Sequence, residues 1–403
     1  MSAATPHAPR AGLGGGSVVA MLRGIDRLGA LLCLIGAGGL LALPFLTFKA
    51  NRIAAGAPKS VVESLGAPGA GAFLGALALV AGLALFDRRP AVRLVGALGG
   101  LAALILAVGF GAAALSPPGD SFARVSPGAA VWLLLLALAM LAADALARLR
   151  LSPPTRVLAL GTAALGAALV LRSGLLDPLS ILREHATRAD VFGRELRQHL
   201  WLAGGSVAAA IAVGAPLGAL CHLNRKLRGV ALPVLNMVQT IPSIALFGLL
   251  MGPLAWLGRT VPLAGDLGIR GIGAAPALLA LTLYALLPVT ANTALGLARA
   301  PAEAVDAAAG MGMTRGQILW GVEIPLALPV IVAGVRVVLV QNIGLATVAA
   351  LIGGGGLGTF VFQGVGQTAI DLVLLGAAPT VALAFCAAVL LDAAVDALGG
   401  RRA

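Results

Sequence analysis

The chain is cut into apolar runs long enough to cross a bilayer, and that alternation leaves few folds open to it. The runs cover roughly 28–48, 69–86, 92–115, 128–147, 157–171, 200–221, 230–257, 274–298, 326–352 and 370–398, about ten in all. No water inside a bilayer satisfies exposed backbone groups, so each run must close its hydrogen bonds within itself, as a helix. The expected fold class is all-α integral membrane, with about ten transmembrane helices. Composition agrees: 59% of the 403 residues are hydrophobic and only 11% are charged, against about a quarter charged in soluble domains. Mean hydropathy is +1.00. The first run is longer than a signal-peptide core and has no close small-residue cleavage site, so it reads as a retained span.

A formal net charge of +12 raises the question of nucleic acid. The basic residues, however, are scattered through the short segments between runs rather than gathered on one face, which argues for positive-inside topology and against nucleic-acid binding. With residues 1–27 as a cytoplasmic tail, Arg88, Arg89, Arg93, Arg148, Arg150, Arg156, Arg225, Lys226, Arg228, Arg401 and Arg402 all fall in the cytoplasm. Both termini are then cytoplasmic, and only Lys49, Arg52 and Lys59 oppose this arrangement. Cys33, Cys221 and Cys386 have no paired spacing, and His7, His185, His199 and His222 are equally dispersed. No disulfide framework, metal site, cofactor or catalytic constellation is indicated. The 55 glycines are about twice the usual share, and the pairs Gly96/Gly100, Gly214/Gly218 and Gly248/Gly252 have the small-xxx-small spacing that lets membrane helices approach closely.

Two polar stretches organise the chain. Residues 172–198 carry both charge signs and apolar residues at loosely helical spacing, so they read as an extracytoplasmic linker, either solvated or an interfacial amphipathic helix. They separate an N-terminal transmembrane region of about five spans (28–171) from a second half (199–398). The other stretch, 301–329, is PAEAVDAAAGMGMTRGQILWGVEIPLALP. Pro301 suits a first helical turn, Glu303 and Asp306 lie near its positive end, and alanines propagate it. Gly310 and Gly312 stop that helix. Thr314 and Gln317 have capping-box spacing, which restarts a helix through Ile318, Leu319 and Trp320 until Pro325. The product is a helix-turn-helix knob or, more plainly, an Ala-rich interhelical loop.

Asp306-Ala307-Ala308 followed by Gly312, and then by Glu323 and Pro325, resembles the EAA loop of ABC-importer permeases. Together with VQTIPSIALFGLL (238–250), YALLPVTANT (284–293) and LIGGGGLGTFVFQG (351–364), it makes residues 199–398 similar to the five-span core of the permease family that imports glycine betaine, choline, carnitine and related osmoprotectants. The N-terminal spans resemble in layout a subgroup with extra spans, although no motif carries that part. The resemblance implies a cell (inner) membrane location and a permease homodimer, or a dimer with a related permease. It also implies a cytoplasmic ABC ATPase, an extracytoplasmic solute-binding protein and a small-molecule solute. It places ATPase coupling, at 301–325, on Glu303, Asp306, Ala307, Ala308, Gly310, Gly312, Thr314, Arg315 and Pro325. Asp306 stands where the family has Glu, which keeps the charge one methylene shorter.

The chain itself has no phosphate loop: its lysines are Lys49, Lys59 and Lys226, none in a GxxxxGK[ST] setting, so it is not expected to be an enzyme and another polypeptide must hydrolyse ATP. Polar residues within spans mark either the translocation pathway or proline kinks satisfied by neighbours. They are Gln239, Thr240, Pro242 and Ser243, then Tyr284, Pro288 and Asn292, then Asn342. Arg336 is read as an anchor. Gly353, Gly354, Gly355, Gly356 and Gly358 form a flexible run expected at an outer gate. Aromatic residues are only 4%, with one tyrosine, so a cation–π cage for a quaternary ammonium solute belongs more naturally to a receptor. A methionine-type amino-acid importer and an ion-coupled secondary transporter are the alternative functions.

Overall fold

The computed structural model describes residues 26–51, 54–117, 122–266 and 268–399. The expected tail lies almost wholly outside the described residues, as do Arg52, Arg401 and Arg402. Among the described residues nine helices are long and apolar enough to cross a membrane, and a tenth apolar helix is shorter. The chain divides into two compact units, Met1–Leu151 with Ser173–Leu179, and Ser152–Arg172 with Ser180–Ala403.

In the first unit, α1 (Arg27–Ala42), α2 (Val61–Phe86), α3 (Pro90–Leu115) and α4 (Ala129–Leu149) pack in a closed antiparallel ring, each against two neighbours. Asp26 caps α1 by accepting from the Gly29 N–H at 2.7 Å. The span expected over 28–48 is shorter than that: α1 ends at Ala42, and Pro44 leads into β1 (Leu46–Lys49). Proline's missing N–H and fixed φ stop the helix where hydropathy alone would continue it. β1 pairs antiparallel with β2 (Ala57–Lys59) and with β3 (Arg124–Pro127), in the order β2-β1-β3. A capping box between Ser60 and Glu63 then starts α2 eight residues before the apolar run that marks it in the sequence. Gly128 is obligatory here, because a Cβ would lie 2.1 Å from the Pro44 carbonyl oxygen.

At the opposite end of this bundle Arg93 is completely buried. It donates to Asp26 at 3.1 Å and lies 3.7 Å from Asp144, while Arg148 pairs with Asp144 at 2.9 Å and with Asp26 at 3.8 Å. The hydrogen bond from Arg93 holds the Asp26 carboxyl below the usual carboxylate range. A buried guanidinium is tolerated only when compensated in this way.

In the second unit, α5 (Pro153–Arg172) buries no residue and lies along the last helix, Ile370–Gly399. α6 (Ser180–Thr187) follows, then α7 (Ala189–Leu223), α8 (Arg225–Thr240), α9 (Ser243–Thr260), α10 (Pro262–Asp266), α11 (Ala274–Ala298), α12 (Ala302–Gly310), α13 (Arg315–Ile318), α14 (Ile324–Leu345), α15 (Gly358–Gly366) and α16 (Ile370–Gly399). Of the two readings of residues 172–198, the helical one describes most of them: α6 occupies their middle, and 189–198 are the first turns of a 35-residue helix. Charge there reflects a helix end outside the apolar window, not an absence of helix.

α11 is the centre of this unit, flanked by α7 and α14. Gly214 and Gly218 of α7 let it approach Val289, Thr290 and Thr293; a Cβ on Gly218 would sit 2.6 Å from the Thr290 carbonyl oxygen. Gly334 of α14 receives Asn292 at equally short range. Gly248 and Gly252, by contrast, have nothing within 4 Å among the described residues, so their spacing is not used there. α5 is tied to α16 by Arg156, which lies 3.2 Å from Asp392 and 2.7 Å from Asp396. Arg336 also pairs with Asp392, which gives the expected anchor its partner.

Candidate functional site

The knob at 301–325 forms much as its residues dictate. α12 begins after Pro301 with Glu303 in its first turn and ends at Gly310. Gly312 then takes φ +82°, which glycine adopts without strain. The Thr314 N–H donates to Gln317 Oε1 at 2.8 Å while Thr314 Oγ1 accepts from the Gln317 N–H, closing the capping box. Glu303, Asp306, Ala307, Gly310, Gly312, Thr314, Arg315 and Pro325 are exposed, and Ala308 is buried beneath them. Met311 and Trp320, 76% and 73% exposed, project beside them.

The second helix does not end at Pro325. It runs on from Arg315 to Leu345 as one 31-residue helix, because residues Leu319–Glu323 form a π turn in which the Ile324 N–H reaches the Leu319 carbonyl. The one-residue widening absorbs the proline, whose ring would clash with a regular preceding turn. Just below the turn, Glu323 is only 3% exposed and lies 3.1 Å from Arg315 Nη1 and 3.5 Å from His222 Nε2. His222 is in the last turn of α7, so this carboxylate ties the knob to α14 and to α7. Glu323 belongs to the EAA-like motif, but neither its burial nor its pairing with His222 is legible in the sequence. The available signal was an acidic residue next to Pro325, beside an apolar run.

The expected pathway residues fall into two groups. The span drawn across 230–257 is broken: α8 ends at Thr240, Ile241 and Pro242 are extended, and Ser243 starts α9. Pro242 has no N–H to continue the ladder, and Thr240 Oγ1 turns back to the Met237 carbonyl at 2.6 Å. The break is stitched to α11. Pro288 cannot donate to the carbonyl of Tyr284 four residues earlier, and Gln239 Nε2 donates to that orphaned oxygen at 2.7 Å. The Tyr284 hydroxyl in turn donates to the Ile241 carbonyl, and Asn292 Nδ2 donates to the Pro288 carbonyl at 2.8 Å. Gln239, Tyr284, Pro288 and Asn292, scattered in sequence, thus form one device around a proline-opened backbone. Asn342 stands apart from it, completely buried, donating to Ser206 Oγ at 2.8 Å and to the Leu281 carbonyl at 3.2 Å.

The glycine run lies at the other end of α14 from the knob, after a 3₁₀ turn over Val348–Ile352. Gly353, Gly355 and Gly356 have positive φ, and a Cβ on Gly358 would lie 1.8 Å from the Thr347 carbonyl oxygen. The Gly273 N–H donates to the Ile352 carbonyl at 2.8 Å. Glu195, Gln198 and His199 of α7 face the run, a meeting that sequence reading missed because the partners are over 150 positions apart.

Fold and site together define a polytopic helical membrane protein with a rigidly seated polar knob and no nucleotide-binding loop of its own. Residues 210–402 match the family described as binding-protein-dependent transport system inner membrane component, and residues 26–182 match the N-terminal domain of the ABC transporter permease YehY. The osmoprotectant import permease protein OsmW of Salmonella typhimurium is 43% identical over 180 residues, which cover 45% of this chain and 79% of that relative. The carnitine transport permease protein OpuCB of Listeria monocytogenes is 37% identical, over 46% of this chain and 78% of its own length. The MetNI methionine ABC transporter, in an inward-facing conformation, is similar at 23% identity with a TM-score of 0.45, over 53% of this chain and 98% of the matched one. The chain belongs to the binding-protein-dependent transport inner-membrane component family: it is a multi-pass permease subunit of an ABC importer.

Proposed function

We propose that the importer moves osmoprotectants such as glycine betaine, choline or carnitine, and that this chain couples their passage to ATP hydrolysis in a separate ATPase without being an enzyme itself. The substrate class follows the relatives, whose names specify osmoprotectant, carnitine and glycine betaine/carnitine/choline transport. The chain sits in the cell (inner) membrane with both termini and the knob on the cytoplasmic side, as the arginine distribution suggests. It pairs with a second copy or a related permease, and an extracytoplasmic receptor delivers solute at the opposite face. The N-terminal bundle serves packing or assembly.

The observation that carries the coupling role is the mechanical continuity of the knob. Glu303, Asp306, Ala307, Gly310, Gly312, Thr314, Arg315 and Pro325, packed over the buried Ala308, present a surface to the ATPase, and the buried Glu323 locks that surface to a single helix about 45 Å long at about 1.5 Å per residue. Displacement of the knob by closing nucleotide-binding subunits is then transmitted along α14 towards Asn342 and the glycine run. The stitched break at Gln239, Thr240, Pro242, Ser243, Tyr284, Pro288 and Asn292 provides the hinge beside the pathway. Gly353, Gly354, Gly355, Gly356 and Gly358 form the outer gate.

The test is uptake of labelled glycine betaine, choline, carnitine and methionine into proteoliposomes containing the whole complex, with Glu323→Ala as the coupling variant. Uptake should require ATP and persist when the membrane potential is collapsed. Glu323→Ala should retain the ATPase on purification yet lose about tenfold or more in uptake, since an exposed Arg315 no longer has its buried partner. ATP-independent uptake, or full uptake by Glu323→Ala, would reject the reading.

A further inference from the structure

Glu195 is an acidic side chain six residues into α7 whose single oxygen Oε2 takes two donors from the far end of the chain. The Gly356 N–H donates to it at 2.6 Å and Thr359 Oγ1 at 3.2 Å. One turn on, Gln198 Nε2 donates to the Gly354 carbonyl at 3.0 Å. His199, completely buried, forms the floor: a Cβ on Gly356 would lie 3.2 Å from its Nδ1. A Cβ on Gly355 would meet Gln198 Cγ and Glu195 Oε2, both at 3.1 Å. The glycines are therefore required by close approach to this one face of α7 as well as by their positive φ.

The contact has the form of a clasp. The run is held at one side by the bond from Gly273 to Ile352, and beyond it α15 packs through the buried Leu357 and Phe360 against Leu372 and Leu375 of α16. Between these two attachments, Glu195 and Gln198 supply the side-chain hydrogen bonds to the run itself. A charge-assisted bond from a backbone N–H to a carboxylate is the stronger kind, and here one of them joins two segments that the neutral Gln198 bond also ties. Positive φ at Gly353 and Gly355, before the joint, and at Gly356 itself lets the run change course once the bond is released.

We propose that Glu195 is the latch of this run: it holds residues 353–358 against α7, and the import cycle passes through its release. The proposal rests on the reading of the glycine run as the outer gate, and it assigns Glu195 as a positioning residue acting through Gly356 and Thr359. Receptor docking and ATP binding would then be what withdraws the carboxylate from the Gly356 N–H.

The experiment uses the complete complex of permease, ATPase and receptor in proteoliposomes, with Glu195→Ala, Glu195→Gln and the neighbouring surface variant Arg197→Ala. Backbone amide exchange over 353–360 is measured in the resting state, together with ATP hydrolysis without receptor. Glu195→Ala should speed exchange in that segment by about tenfold or more, the loss expected for a hydrogen bond to a charged acceptor, and should raise receptor-independent hydrolysis. Glu195→Gln, which keeps an uncharged acceptor, should fall between, and Arg197→Ala should match the unmodified complex. If Glu195→Ala does not assemble, the Glu195→Gln exchange rate decides alone. Exchange within about twofold of the unmodified complex overturns the latch. Faster exchange with receptor dependence intact overturns the gate reading on which the latch rests, while leaving the knob and its coupling role untouched.

Discussion

The two units handle charge in opposite ways. The N-terminal bundle gathers Arg93, Arg148, Asp26 and Asp144 into one network at the end of the helices, with the guanidinium of Arg93 fully enclosed. It closes its other end with a three-stranded sheet around buried Leu46 and Val125. Apart from a part-exposed cluster of Arg156 and Arg336 with Asp392 and Asp396, the second unit spreads its polar contacts out: Glu323 under the knob, Gln239 at the α8–α9 break, Asn342 between α7 and α11, Glu195 at the glycine run. A closed network resists displacement, because moving one member strands the others in a poor solvent. Separate contacts, some of them at a break or a glycine-rich turn, can be exchanged one at a time. On the proposed coupling role, the first unit would hold a shape and the second would move between shapes.

The largest expected effect breaks the first half of that contrast. Arg93→Leu leaves Asp26 and Asp144 without their central partner, and removal of one member of a buried ion pair costs about 3–5 kcal/mol. The yield of folded protein should fall steeply, measured as monodisperse material after extraction, while uptake per surviving complex stays near that of the unmodified protein. A specific loss of uptake at normal yield would place the network in the transport cycle instead. Next in size is Gly312→Val, which forces a β-branched residue to φ +82°, a strain of about 1–3 kcal/mol. The knob should distort and ATPase co-purification should drop, with little change in the thermal stability of the permease. The smallest effect separates two glycines of the same spacing class. Gly218→Ala drives a methyl group to 2.6 Å from the Thr290 carbonyl oxygen and should lower stability by about 1–3 kcal/mol. Gly252→Ala, with nothing within 4 Å, should leave the thermal midpoint of the isolated permease where it is. A drop in assembly for Gly252→Ala would mark that face as one that meets another subunit.

The knob was legible because each of its signals is local. Pro301, the alanine run, Gly312 and the Thr314–Gln317 box act within four residues of themselves, and the structure contains each of them. The sequence reading failed where a local rule met a distant compensation. Pro325 reads as a stop, but a π turn carries the helix through it. The run at 230–257 reads as one span, but Pro242 breaks it and Gln239 and Tyr284 secure the ends. For residues 172–198 the sequence left a solvated linker and an amphipathic helix both open, and most of them are helical.

Hydropathy alone determined that the chain is helical and membrane-embedded, since a bilayer offers an apolar backbone no other way to satisfy its hydrogen bonds. It also placed a polar knob between two spans and a glycine run after the second. Only the tertiary structure decided what those features are attached to. Glu323 lies under the knob with His222, and Gln239 takes the carbonyl that Pro288 leaves free. Glu195 meets a backbone N–H 161 positions away. Each is a contact between residues remote in sequence, and burial makes it energetically decisive: a buried polar group must find a partner, while nothing in its own neighbourhood says which one.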